Sequence, residues 1–225
     1  MTVVIVDYGL SGNLRSVASL FERAATTSGL GTRITVSGEA RAVRAADHIV
    51  LPGQGAFPEC KSGLEARPGL VDALTETIID CGRPFLGICV GMQLMATRGF
   101  EHGAHDGLGW IAGEVVKLAP TGGGTNGRPY KVPHMGWNEL DIRVPGHPLL
   151  AGIASGVHMY FVHSYHIRCE NGADVLATTD YGGLVTAMVA RDNFAGVEFH
   201  PEKSQAVIDN DAGLRLITNF LMWRP

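Results

Sequence analysis

Arg83-Pro84-Phe85-Leu86-Gly87-Ile88-Cys89-Val90-Gly91-Met92-Gln93-Leu94-Met95 is the stretch on which the reading of this chain turns. Pro84 to Ile88 is short and apolar, as a buried strand is, whereas Met92, Gln93, Leu94 and Met95 favour a helix. Between them lies Gly87-Ile88-Cys89-Val90-Gly91, a G-x-C-x-G pattern. It is the thiol form of the elbow in which a nucleophile caps a sharp strand-to-helix turn. Glycine on both sides lets the backbone pass close by without a Cβ clash. A helix starting at the elbow would aim its N–H groups at the sulfur and favour the thiolate, the reactive form. The alternative is that Cys89 is a small buried hydrophobe, as free cysteines often are.

Upstream of the elbow, Val3 to Val6 is a β-branched run, expected as a buried parallel strand. Asp7 to Asn13 reads as a turn, and Leu14, Val17, Ala18 and Phe21 recur at helical spacing. Ile34 to Val36 and Ala46 to Leu51 read as further strands. The third ends in Pro52-Gly53-Gln54-Gly55-Ala56-Phe57, where two glycines bracket one residue. Such a turn could present an N–H to a developing oxyanion, or be an ordinary glycine turn. A helix is expected within Gly69 to Asp80. The order β-α-β-β-α-β-α makes this an α/β protein with a central, mostly parallel sheet flanked by helices. A nucleophile at a strand's carboxyl end lies where such sheets place ligands.

Downstream, the expected segments are short and β-rich: Val115 to Leu118, Tyr160 to His163, Val175 to Thr178, Thr186 to Ala190 and Gly196 to His200. Gly122 to Gly127 is a flexible loop too short to divide domains, and a last helix is expected from about Ser204 to Met222, with Val207, Leu214, Ile217 and Leu221 on one face. Residues 1–225 therefore read as one domain with a β-rich second half.

Composition narrows the function classes. Hydrophobic residues are 45% of 225, the net charge is −4 and the pI is near 6.1, so no basic footprint for nucleic acid is present. No apolar run has membrane-spanning length, and the N-terminus lacks the features of a signal peptide. Four cysteines with no C-x-x-C pair suit a reduced, cytoplasmic protein. Glu101-His102 and His105-Asp106 are interrupted by glycine and read as a solvated loop, so no metal is expected there. The turn after the first strand lacks G-x-G-x-x-G, and no cofactor is expected.

Near the other end runs Glu198-Phe199-His200-Pro201-Glu202-Lys203-Ser204. In extended chain, residues i and i+2 point to the same side, so His200 could take the Cys89 proton while Glu202 orients the imidazole. Pro201 would mark the strand end. Taken by itself, His-Pro-Glu could equally be a surface turn.

With these motifs in hand, the chain resembles the class I (triad) glutamine amidotransferases, whose fold is flavodoxin-like. The shared marks are Pro52-Gly53-Gln54-Gly55, Gly87 to Gln93 and Phe199 to Glu202. Narrower marks, Asp7-Tyr8 with Gly12 to Ser16, Lys131 to Asn138, Tyr160 to Tyr165 and His200 to Ser204, resemble the branch serving imidazole glycerol phosphate synthase in histidine biosynthesis. The resemblance implies that Cys89 attacks the glutamine amide, His200 is base and then acid, and Glu202 holds His200. It implies oxyanion donors at the backbone of Gln54 and Val90. Gln93, Glu101, Ser164 and Tyr165 would hold glutamine, with Glu101 facing its α-ammonium. The ammonia would pass to a (β/α)₈-barrel cyclase subunit in a heterodimer, faced by Pro133, His134, Met135, Gly136, Trp137, Asn138 and Lys203. Three departures stand out: Gln54 replaces a small apolar residue, the Asp7 to Asn13 turn is a residue longer, and the Gly122 to Gly127 loop is longer and richer in glycine. A glutaminase subunit of pyridoxal phosphate or anthranilate synthesis, or a non-catalytic binding module of the same fold, are the competing readings. On residue type alone, Trp137 and Met135 could be core and His163 a hydrogen-bonded strand histidine.

Overall fold

The computed structural model describes residues 1–9, 12–124, 127–204 and 211–225. Its first half runs β1 (Thr2–Val6), α1 (Leu14–Ser28), β2 (Arg33–Ser37), α2 (Ala40–Arg44), β3 (His48–Gly53), α3 (Phe57–Glu65), α4 (Leu70–Thr75), a π-helical continuation over Glu76–Asp80, β4 (Phe85–Cys89) and α5 (Val90–Gln93). The second half is mostly strand: β5 (Ala96–Gly99), β6 (His105–Asp106), β7 (Ile111–Lys117), β8 (His134–Glu139), β9 (Asp141–Ile142), β10 (His158–His163), β11 (Tyr165–Cys169), β12 (Val175–Asp180), β13 (Leu184–Arg191) and β14 (Phe194–Val197), before α6 (Ala212–Met222).

Among the described residues the central sheet has the order β2-β1-β3-β4-β14-β13-β12-β9. From β2 to β14 the pairings are parallel, and from β14 to β9 they are antiparallel. Strands β3 and β4 are buried along their whole length, which is why their sequences run apolar and do not alternate. In α1, Val17, Leu20, Phe21 and Ala24 face the core at helical spacing, and Gly29 closes the helix in the left-handed conformation. Helices α1 and α6 meet through Phe21 and Phe220, ring centroids 6.1 Å apart. A second sheet, β11-β7-β5-β6, and the β10-β8 ribbon complete the β-rich half.

The elbow is built by three glycines that interlock. A Cβ on Gly91 would lie 1.8 Å from the Leu51 carbonyl oxygen, one on Gly87 2.6 Å from the Gly91 oxygen, and one on Gly53 2.6 Å from the Gly91 nitrogen. The end of β3, the end of β4 and the turn after it therefore touch backbone to backbone. Gly91→Ala is expected to lower stability by more than about 3 kcal/mol, since only main chain can yield. Equilibrium denaturation checks it; a loss under about 1 kcal/mol would contradict this packing.

Several elements differ from their sequence expectations. The helix after the elbow ends at Gln93, where one through Met95 was expected. The Leu94 and Met95 carbonyls accept from Leu108, Trp110 and Ile111 N–H groups at 2.7–2.9 Å, which turns the chain into β5. Two helices were not expected: α2, five residues long, separates strands that read as consecutive, and α3, which carries Pro58 and Gly63, precedes the helix expected between β3 and β4. The last helix begins at Ala212; Ser204, expected as its start, is in a turn where its hydroxyl donates to the His200 carbonyl at 2.7 Å. Val207, expected on its inner face, lies outside the described residues. The strand ending at Val197 leaves Glu198 to His200 beyond it.

Candidate active site

Cys89 ends β4 with φ 53° and ψ −116°, a backbone conformation that side chains other than glycine rarely adopt. The elbow read from the sequence is therefore present, and its strain is local to the thiol. Cys89 and Val90 open onto a cavity of about 280 Å³. Gln54 and Gly55 line it from the turn after β3, Gln93 from α5, and Glu101 from the loop after β5. His163, Ser164 and Tyr165 line it from the β10–β11 junction, Pro133 and Val162 from beside them, and His200 from beyond β14. The catalytic pair, both oxyanion positions and all four substrate positions expected from sequence thus share one space; Glu202 stands behind His200.

His200 Nδ1 is 2.8 Å from Glu202 Oε1, with the two side chains 1% and 0% exposed. The route differs from the expected one. Residues 201–204 form a turn, so it is the turn and not an extended i, i+2 pair that brings the carboxylate to the ring. Asn13 Nδ2 donates to the same Oε1 at 2.7 Å. Burial alone would raise the Glu202 pKa, but the hydrogen bond and charge of His200, helped by Asn13, hold it below the usual carboxylate value. Asn13 is a site residue that the sequence offered only as part of the Gly12 to Ser16 mark.

The thiol differs from its expectation. Burial pushes the Cys89 pKa well above the usual thiol value, and the nearby carboxyls of Glu198 and Glu202 push the same way; a hydrogen bond from the Val90 N–H only offsets this. With one helical turn behind it, the elbow adds little dipole, so the resting group is the thiol. The chemistry then needs a base that takes the proton as substrate arrives.

Of the substrate positions, Gln93 is buried and its amide donates to the Tyr165 carbonyl at 3.1 Å and to Glu198 Oε1 at 2.8 Å. Its carbonyl is what remains to meet a ligand. Glu101 Oε2 accepts from the Phe57 N–H at 2.7 Å, capping α3 while lining the cavity. The Gln54 carbonyl accepts from the Cys60 thiol at 3.7 Å, and because that peptide is trans the Gly55 N–H points the opposite way. Gly55 has φ 120°.

The segment from Pro133 to Asn138 divides between surface and interior. Met135 is 61% exposed. Trp137 meets Tyr160 edge to face at 5.7 Å, and Lys203 Nζ lies 5.7 Å from the same Tyr160 ring. His134, expected to face outward, is instead buried, stacked between Phe161 and Tyr181 at centroid distances of 4.7 and 3.9 Å. Its Nδ1 is 2.9 Å from His163 Nε2, so His163 is a hydrogen-bonded strand histidine. Burial lowers the His134 pKa to about 4, which keeps the ring neutral. Asn138 is half-buried and donates to the Asp180 carbonyl at 2.8 Å. Among the described residues no group of three or more acidic, histidine or cysteine side chains is placed to hold a metal, and no helix is long and apolar enough to cross a membrane.

A family model described as glutamine amidotransferase class-I matches residues 4–222. The chain is 52% identical to the Rhodospirillum rubrum protein named imidazole glycerol phosphate synthase subunit HisH, over all of both chains. It is 54% identical, again end to end, to the protein of that name from Rhodopseudomonas palustris. Among solved structures, one titled glutamine amidotransferase superposes with a TM-score of 0.69 at 18% identity, covering 98% of this chain and 97% of that one. The glutaminase domain of the Trypanosoma brucei CTPS, solved with bound acivicin, gives 0.60 at 17%, covering 100% and 94%. At that identity the structural likeness speaks for the fold.

Proposed function

The chain belongs to the class-I glutamine amidotransferase family, and from that premise we propose that it is the glutaminase subunit of an imidazole glycerol phosphate synthase, which acts in histidine biosynthesis. The observation that carries the reading is the cavity in which Cys89 at a strained elbow shares space with His200, itself held by Glu202. In this reading His200 takes the Cys89 proton, the thiolate attacks the glutamine side-chain amide, and a γ-glutamyl thioester forms as ammonia leaves with a proton from His200. Water then releases glutamate. Val90 and the Gln54–Gly55 turn supply oxyanion donors, and Glu101 meets the α-ammonium. Residues 1–225 act as a single glutaminase domain in the cytoplasm; a hydrophobic core that runs from Val3 to Trp223 supports the first point. The ammonia passes to a (β/α)₈-barrel cyclase subunit docked on Met135, Trp137 and Lys203.

The test is glutamate release by the isolated glutaminase chain, by its complex with the barrel subunit, and by that complex with the cyclase's substrate or product analogue. The expected result is slow release by the isolated chain and at least about 100-fold more in the loaded complex, the worth of one oxyanion donor. Gly55 gives the turn two accessible conformations, and a partner favouring the donor state supplies the gain by population shift. Equal rates in all three would overturn partner control, and no release in any would overturn the glutaminase reading. The surface strand's sequence, matching the branch that serves this synthase, favours it over pyridoxal phosphate or anthranilate synthesis.

A further inference from the structure

Glu198 is buried completely, yet no role in the proposed reaction has used it. Strand β14 pairs in parallel with β4, with Val197 opposite Ile88, so the next residue on each strand brings Glu198 beside Cys89. Glu198 Oε1 accepts from Gln93 Nε2 at 2.8 Å. Oε2 is buried and has no hydrogen-bond partner among the described residues. His163 Nδ1 is 3.6 Å from Oε1 but is directed to the Tyr165 carbonyl at 2.8 Å. The groups facing this carboxyl or the thiol beside it are Cys89 from β4, His163 from β10 with His134 and His166 behind it, His200 and Glu202 from the turn, and Cys60 from α3. None supplies a fixed cation. Burial holds His163 neutral, its pKa lowered to about 3, and the donors that meet Glu198, the Gln93 amide and the Cys89 thiol, are both neutral. A bare carboxylate in a dry site with only neutral donors is far costlier than the neutral acid. Burial accordingly raises the Glu198 pKa well above the carboxylate range, with Gln93 and Cys89 only partly offsetting it.

We propose that Glu198 is a positioning residue for the nucleophile: as the neutral acid it offers its Oε2–H to Cys89 and steadies the thiolate, and as the carboxylate it opposes the thiolate. The step it assists is the breaking of the Cys89 S–H bond. The proton passes to His200, the electron pair stays on sulfur, and Glu198 keeps its own proton throughout. The proposal rests on the assignment of Cys89 as nucleophile and His200 as base. It adds an alkaline limit to the reaction, because loss of the Glu198 proton places a second negative charge beside the sulfur.

The experiment compares wild type, Glu198→Gln and Glu198→Ala, each in complex with the barrel subunit. It measures glutaminase kcat and KM, and the rate of Cys89 alkylation by iodoacetamide, from about pH 6 to 10. Gln keeps a neutral donor that cannot ionise. Glu198→Gln is expected to hold kcat within about threefold of wild type near neutral pH and to move the alkaline fall upward by roughly one pH unit or more. Glu198→Ala is expected to lose about tenfold or more in kcat with KM little changed, as one removed donor would. An unmoved alkaline fall in Glu198→Gln, or equal kcat for the Gln and Ala variants at every pH, overturns the proposal. Melting gives a second readout that does not depend on activity. The unfolded Glu198 ionises above about pH 4.5 while the folded one keeps its proton, so wild type loses stability relative to Glu198→Gln as pH rises through that range. A Tm difference that stays constant with pH overturns the buried neutral acid. Failure of the underlying assignment has a different signature: a Cys89→Ala complex that still releases glutamate removes the nucleophile itself, whatever Glu198 does.

Discussion

Cys89→Ser is expected to lose glutamine-dependent synthesis by about 10⁴-fold or more, while synthesis from added ammonium salt by the complex persists. Oxygen at this site is the weaker nucleophile and holds its proton more tightly than sulfur. Loss of one member of a catalytic triad typically removes most of what the triad contributes. The strained backbone at φ 53° does not depend on the γ atom, so the fold should survive the exchange. The check is paired turnover with glutamine and with ammonium on the same preparation. Loss of both in a folded complex would contradict the division of labour between glutaminase and cyclase.

Glu202→Gln is expected to lower glutaminase kcat on the order of 10³-fold with the fold intact. His200 Nδ1 and Asn13 Nδ2 both bond to the single atom Oε1. A glutamine placing its Oε1 there keeps both acceptor contacts and removes the charge, and its amide nitrogen takes the place of Oε2, which is buried with no hydrogen-bond partner among the described residues. The fall in kcat reports the stabilisation of the imidazolium that forms when His200 takes the thiol proton. Circular dichroism should change little, stability should fall by about 1–3 kcal/mol for one unpaired buried donor, and kcat should fall. A folded Glu202→Gln protein with normal kcat would show that Glu202 is not the orienting group.

What could be read from the chain without coordinates follows from how local each signal is. Gly87 is demanded by contacts within the elbow itself, and that demand is written into the pentapeptide, whereas Gly91 is demanded by the Leu51 carbonyl on β3. The unbroken apolar runs of β1, β3 and β4 are likewise local signals. His200, Pro201 and Glu202 were legible as a short motif, although a turn and not an extended strand joins them. Glu198 was not legible, because its burial depends on β14 lying in register with β4, a pairing across more than a hundred residues of chain. The helices α2 and α3 escaped because five residues with one buried position, and a helix carrying Pro58 and Gly63, show little periodicity. The inward turn of His134 needed knowledge of which face of β8 meets Phe161 and Tyr181. Strand alternation alone says that neighbours differ, not which of them is inside.

That alternation in β8 constrains how an interface of this kind can diverge. His134 is buried against His163 and Asn138 donates to the Asp180 carbonyl, whereas Met135 is exposed and Trp137 is half-buried against Tyr160. If the proposed barrel subunit docks on this strand, changes that compensate its drift can enter at Met135 and Trp137 with little effect on the floor of the cavity. A change at His134 or Asn138 would reach the stack beneath the glutamine pocket first. Co-variation with the partner should therefore skip every second residue along this strand, leaving the alternate positions to covary with the enzyme's own interior.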